Sequence, residues 1–200
     1  MTDVIEYIRR HQLELDIPDD TVLPTHEPEM LLIGCVDARL DIIDDIGIPK
    51  GKALVMRNIA ALVAGSHEEA QDRPIEAATL EFAVDVMKVK YIAVMGHTDC
   101  GGIRARLSGL EMPNIQRYLG PLETVHRQIK ERGGSLQKQA TEMEQAAVRL
   151  SLKNLRTYES VRKAEKAGRL KLHGWVICTA TQQLMVLNEQ TGTFSPMVKG

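Results

Sequence analysis

Two apolar runs, each ending in a short cluster of reactive side chains, constrain this chain more than any other feature. Met30-Leu31-Leu32-Ile33-Gly34 leads into Cys35-Val36-Asp37-Ala38-Arg39. Tyr91-Ile92-Ala93-Val94-Met95-Gly96 leads into His97-Thr98-Asp99-Cys100-Gly101-Gly102. Short unbroken apolar runs read as strands buried on both faces, which is the habit of parallel sheets. Between them lie a third run, Ala53-Leu54-Val55-Met56, and a stretch with helical spacing from Ile75 to Met87. The order is therefore strand, connection, strand, helix, strand, and parallel pairing needs such crossovers. The expected fold is α/β, with a short, mainly parallel β-sheet flanked by helices. Ligands of such sheets bind beyond the carboxyl ends of the strands, where both clusters fall.

The chemistry of the clusters is that of a metal site. Cys35, His97 and Cys100 offer two thiolates and an imidazole, the donors that zinc prefers in tetrahedral geometry, with a fourth position left open in catalytic sites. Only Thr98 and Asp99 separate His97 from Cys100, so one turn presents both, while Cys35 arrives from the neighbouring strand. Gly96, Gly101 and Gly102 permit the tight backbone this requires. A metal there brings the pKa of a bound water to about 7. Asp37 is either a fourth ligand in a closed site or an acceptor that orients hydroxide. Arg39 is its natural partner, because a planar guanidinium grips a carboxylate with two hydrogen bonds. Drawing Asp37 towards Arg39 would open the metal.

Bulk properties exclude other classes. A formal net charge of -2 argues against a phosphate-driven nucleic-acid binder. No apolar stretch approaches the ~20 residues of a membrane span, and the first ten residues lack the basic-then-apolar layout of a signal peptide. Three cysteines in 200 residues make no disulfide framework, so a reduced, cytoplasmic setting is expected. One domain is expected overall, with an N-terminal helix and extended arm over residues 1–29 and a zinc-binding catalytic domain over 30–200. Val4, Ile5, Ile8 and Leu13 mark the opening helix, and Pro18, Pro24 and Pro28 the arm. Later come helices at about 114–131 and 139–167, a strand over Leu170–Cys178 and a hairpin around Asn188–Gly192. In the earlier helix Ala78, Phe82 and Val86 recur as a core stripe, broadened by Leu80 and Val84.

These residues resemble the β-class carbonic anhydrases, whose pattern is C-x-D-S-R followed by H-x-x-C. Arg57-Asn58-Ile59-Ala60 is similar to that family's R-N-x-A segment, and Leu80-Glu81-Phe82-Ala83-Val84 to its helix before the zinc strand. Gly96 to Gly102 and Leu172-His173-Gly174-Trp175 match two further signatures, so the similarity runs from about residue 28 to 195. The resemblance implies that Cys35, His97 and Cys100 bind Zn2+ and that Asp37 and Arg39 form a dyad. It implies attack of zinc-activated hydroxide on carbon dioxide, giving bicarbonate and a proton. It also implies that the opening helix embraces a neighbouring subunit, in a homodimer or homotetramer.

Several positions depart from the family pattern. Ala38 replaces a serine, Ala61 an asparagine, Phe82 a tyrosine, and His26 a glutamine that donates to the substrate. Leu32 stands where some members carry a tryptophan used in bicarbonate regulation. Ala38 and Ala61 keep open a hydrolase of carbonyl sulfide or carbon disulfide. A non-catalytic homologue and a thiol redox protein are compatible with the same residues. Elsewhere, Cys178 reads as a buried structural thiol, His173 as locally hydrogen-bonded, and Asp99 as a helix cap. Arg57 reads as an anion contact or a simple ion pair. The basic run from Arg149 to Arg169 reads as a solvated helix face. His11, His67 and His126 are shuttle candidates that nothing in the sequence places near the metal.

Overall fold

The computed structural model describes residues 3–15, 25–66 and 74–197. A six-stranded sheet runs in the order β2-β1-β3-β4-β5-β6, built from β1 (Met30–Cys35), β2 (Ala53–Asn58), β3 (Tyr91–His97), β4 (Lys171–Ile177), β5 (Leu184–Asn188) and β6 (Thr193–Pro196). The first four strands are parallel, and β5 and β6 close the edge as an antiparallel hairpin. The expected α/β architecture is what forms. Leu31 pairs with Ile92 and Gly34 with Met95, so β1 and β3 end side by side. Their side chains feed two cores. Leu31, Ile33, Ile92 and Val94 lie in one; Leu32, Ala93 and Met95 lie in the other.

Helices α1 (Val4–Leu13), α2 (Pro74–Glu81), α3 (Gly101–Leu107), α4 (Pro113–Tyr118), α5 (Glu123–Arg132), α6 (Leu136–Leu155) and α7 (Glu159–Lys166) complete the described elements. The long α6 begins at Ser135, whose side chain accepts from Lys138 N, and it buries Met143, Ala147, Val148 and Leu152 against the sheet. Gly96 lets it approach, since a Cβ there would meet Val148 Cγ2 at 2.8 Å. None of the described helices is long and apolar enough to cross a membrane.

Three sequence expectations need correction. The helix expected at about 114–131 breaks at Gly120-Pro121, where a 3-10 turn intervenes, and the one expected at 139–167 is α6 plus α7. The stripe of Ala78, Phe82 and Val86 faces outward, with Phe82 44% and Val86 63% exposed. Leu80 and Val84, expected to broaden the stripe, are buried, and Ala83 goes inside with them. Both faces of this segment are apolar, so periodicity alone does not choose between them. A π turn over Phe82–Val86, closed by Met87 N donating to Phe82 O, shifts the frame again. The opening helix forms as expected, but none of its residues is buried within the chain. Most of the expected proline-rich arm, and His67, lie outside the described residues.

Candidate metal centre

Cys35 closes β1 and His97 closes β3, and Cys100 caps the start of α3 one tight turn later. All three are buried, at 4%, 1% and 2% exposure. Their donor atoms lie within 4.8 Å of one another, and the two sulfurs are 3.9 Å apart. Thiolates on a tetrahedral zinc, at bonds of about 2.3 Å, stand about 3.8 Å from each other. A disulfide would need about 2.0 Å. His97 Nδ1 lies 2.9 Å from Thr98 O, which places the proton on Nδ1 and leaves Nε2 its lone pair. Nε2 is buried with no hydrogen-bond partner among the described residues. A buried acceptor aimed at two thiols fits a soft divalent ion.

The two thiols hold their protons unevenly. The hydrogen bond from Cys100 lowers the Cys35 pKa, and the same contact raises that of Cys100. Burial works to lower the His97 pKa, but the nearby Cys35 sulfur outweighs it and the net direction is upward. Cys35 is thus the thiol that gives up its proton more readily, which suits a ligand.

Asp37 stands beside this cluster, its Oδ2 3.8 Å from His97 Nε2. Arg39 grips it as expected, with Nε donating to Oδ1 at 2.9 Å and Nη2 to Oδ2 at 2.7 Å. That grip holds the Asp37 carboxyl well below the usual carboxylate range. Asp99 is not the helix cap expected: α3 starts without a side-chain cap. Its backbone sits at φ 59°, and its carboxylate accepts from Arg39 Nη1 at 2.9 Å and Arg104 Nε at 2.5 Å. Among the described residues Arg57 pairs with backbone carbonyls rather than with a carboxylate. It donates to the backbone carbonyls of Cys35 at 2.8 Å and Asp37 at 2.7 Å, tying down the loop that carries the dyad.

The remaining wall is the segment after β2. Ala60 and Ala61 both adopt positive φ, 63° and 51°, conformations that an asparagine accepts more readily than an alanine. Helix α6 fixes this segment: Ser151 Oγ accepts from Val63 N at 3.0 Å and donates to Ala61 O at 3.3 Å, while Asn154 donates to Val63 O at 2.8 Å. The same helix supplies Glu144, 3% exposed, whose Oε1 accepts from Cys100 N at 3.1 Å. Sequence reasoning missed Glu144 and Ser151. The signal was a charge and a hydroxyl seven apart on the face that also carries Ala147 and Val148. A cavity of about 240 Å3, lined by Val36, Asp37, Ile59, Gly102, Ala105 and Ile115, opens beside Cys35.

Other candidates lie elsewhere. His26 is exposed before β1 begins, towards the amino ends of the parallel strands, and the length of β1, about 17 Å, separates it from its own chain's Cys35. His173 lies on β4 with its ring between those of Tyr91 and Trp175, and among the described residues these aromatic contacts stand where a hydrogen bond was expected. Cys178 is half-buried, not fully buried, and hydrogen bonding from Thr181 lowers its pKa to about 7. In the basic run, Arg156 binds Glu165 and Glu189, and Lys163 pairs with Glu159.

Comparison with known proteins agrees with this geometry. The family model for carbonic anhydrase matches residues 30–184. Beta carbonic anhydrase 6, mitochondrial, of Arabidopsis thaliana is 34% identical over 155 residues, 74% of this chain and 52% of that protein. Carbonic anhydrase 1 of Escherichia coli O157:H7 is 30% identical over 174 residues, 85% of this chain and 78% of that protein. Among solved structures, the β-carbonic anhydrase CcaA superposes with TM-score 0.78 at 21% identity, over 96% of this chain and 90% of that one. One of two tetrameric β-carbonic anhydrases of Sordaria macrospora gives TM-score 0.72 at 27% identity, over 86% and 84%. The chain spans about half the length of the first curated relatives it matches. With the sheet order, the Cys-His-Cys cluster and these similarities in hand, the chain belongs to the β-class carbonic anhydrase family.

Proposed function

We propose that this chain catalyses the reversible hydration of carbon dioxide to bicarbonate, with zinc held by Cys35, His97 and Cys100. The observation that carries the reading is the trio of buried donors, spaced as a tetrahedral ion requires, beside a carboxylate already held by a guanidinium. Zinc bound there supplies Lewis acidity that makes hydroxide available at neutral pH. Asp37, with Oδ2 3.8 Å from His97 Nε2 beside the donor cluster, would accept a hydrogen bond from the nucleophile and so orient it towards the substrate carbon. Arg39 keeps Asp37 ionised and off the metal, and Arg57 holds the Asp37 backbone still. The apolar walls Val36, Ile59, Ala105 and Ile115 suit a small linear gas that makes few hydrogen bonds. Water adds to the carbon of carbon dioxide to give bicarbonate, and the proton released goes to solvent.

Metal analysis with stopped-flow carbon dioxide hydration, wild type against Asp37→Ala, tests this. About one zinc per chain and a rate loss of about a hundredfold or more in the variant are expected. A protein that takes up no zinc, or a variant as fast as wild type, overturns the proposal. Carbonyl sulfide is the second reading, favoured by the same apolar walls; sulfide release faster than carbon dioxide hydration would select it. The assembly we infer is a homodimer or homotetramer. Supporting it are the apolar side chains of α1, Val4, Ile5, Tyr7, Ile8 and Leu13, all exposed in the single chain. Three free thiols suit a reducing, cytoplasmic setting.

A further inference from the structure

One guanidinium in this site serves two carboxylates. Arg39 gives Nε and one Nη2 proton to Asp37, and gives Nη1 to Asp99 Oδ2 and its other Nη2 proton to Asp99 O, the last two at 2.9 Å. Four of its five N–H groups are thus engaged, two by each aspartate. The left-handed backbone at Asp99, φ 59°, is what turns both the carbonyl and the carboxylate towards Arg39. Arg104 holds the second carboxylate oxygen, and is itself anchored by Gln137 at 3.2 Å. Two acids and two bases balance locally, and the pair Arg39–Asp99 joins the loop after β1 to the turn between His97 and Cys100.

We infer that Asp99 is a positioning residue that sets how readily Asp37 leaves Arg39 for the metal. The inference rests on the reading of Asp37 as a group that moves between Arg39 and the fourth zinc position. Asp37 Oδ2 is 3.8 Å from His97 Nε2, so a small side-chain rotation carries it from one to the other. When Asp37 moves to the metal, Arg39 loses two charge-assisted bonds. Asp99 remains, and its hold strengthens because the competing carboxylate has gone. Without the Asp99 charge, the closed arrangement leaves Arg39 with no anion at all. Asp99 therefore favours closure, and its loss favours an open metal. Arg39 is 47% exposed, so water softens the effect to that of one exposed charge pair.

The test uses the protein with cobalt(II) in place of zinc and thiocyanate as the probe, because anion binding needs the fourth position free. Its affinity is read from the cobalt absorption spectrum rather than from turnover. Asp99→Asn keeps the backbone acceptor and tolerates positive φ. It is expected to bind thiocyanate about fivefold more tightly than wild type. Asp37→Ala is expected to bind it more tightly still, and in that background Asp99→Asn should add nothing. Unchanged or weaker binding in Asp99→Asn, beside tighter binding in Asp37→Ala, overturns the role of Asp99 alone. An Asp37→Ala variant with wild-type affinity overturns the moving-Asp37 reading and this inference with it.

Discussion

Removing the Glu144 side chain should weaken metal binding although Glu144 is no ligand. Its Oε1 accepts from Cys100 N at 3.1 Å, inside a core where Glu144 is 3% exposed. In Glu144→Ala the Cys100 amide faces a cavity, and an orphaned buried N–H costs about 1–3 kcal/mol. The turn that presents His97 and Cys100 would lose its fixed geometry, and losing such an outer partner lowers metal affinity about 10–100-fold. Glu144→Gln keeps an acceptor of the same shape and should hold zinc as wild type does. Burial raises the Glu144 pKa, so its proton is worth more to the folded state than to the unfolded one. That stability is complete below the unfolded pKa and is lost as pH rises through the folded value. The stability of Glu144→Gln relative to wild type should therefore grow over that rise. Chelator competition for zinc and thermal melts at several pH values measure both effects. Wild-type affinity in Glu144→Ala, or an equal loss in Glu144→Gln, would refute the reasoning.

Two further outcomes are expected. A Cβ added at Gly102 would sit 2.5 Å from Ile59 Cγ2 and 3.5 Å from Ala60 Cβ, so Gly102→Ala should cost about 1–3 kcal/mol; at about 2–4 °C per kcal/mol, an unchanged melting temperature contradicts it. Cys178, with its pKa lowered to about 7, should be alkylated by iodoacetamide at a rate that climbs through neutral pH while zinc shields Cys35 and Cys100. Mass spectrometry locates the adduct, and a reaction that rises only above pH ~8.5 refutes the shifted thiol.

What the sequence made legible was local. Cys35 and His97 are read off apolar runs because β1 and β3 deliver them directly, and the parallel order follows from a helix between strands. Glu144 was hidden because its partner Cys100 is 44 residues away, and no local pattern marks a carboxylate that accepts from a distant amide. Asp99 misled because its type suits a helix cap, whereas its left-handed backbone turns it to Arg39. Arg57 shows the same limit for its ion-pair reading, since among the described residues two backbone carbonyls take its protons. Segment 75–86 carries two apolar faces, and only the packing of Leu80, Ala83 and Val84 chooses between them. The nine residues after His26, ending at Cys35, include all of β1, so within one chain the two stand at opposite ends of that strand.

The pairing of Leu31 with Ile92 and of Gly34 with Met95 has a kinetic meaning as well as a geometric one. A slip of one residue between β1 and β3 would turn Cys35 to the opposite side of the sheet and scatter the three donors. An ion held by these donors would thus act as a checkpoint on strand alignment, because a misassembled chain would have nowhere to lodge it.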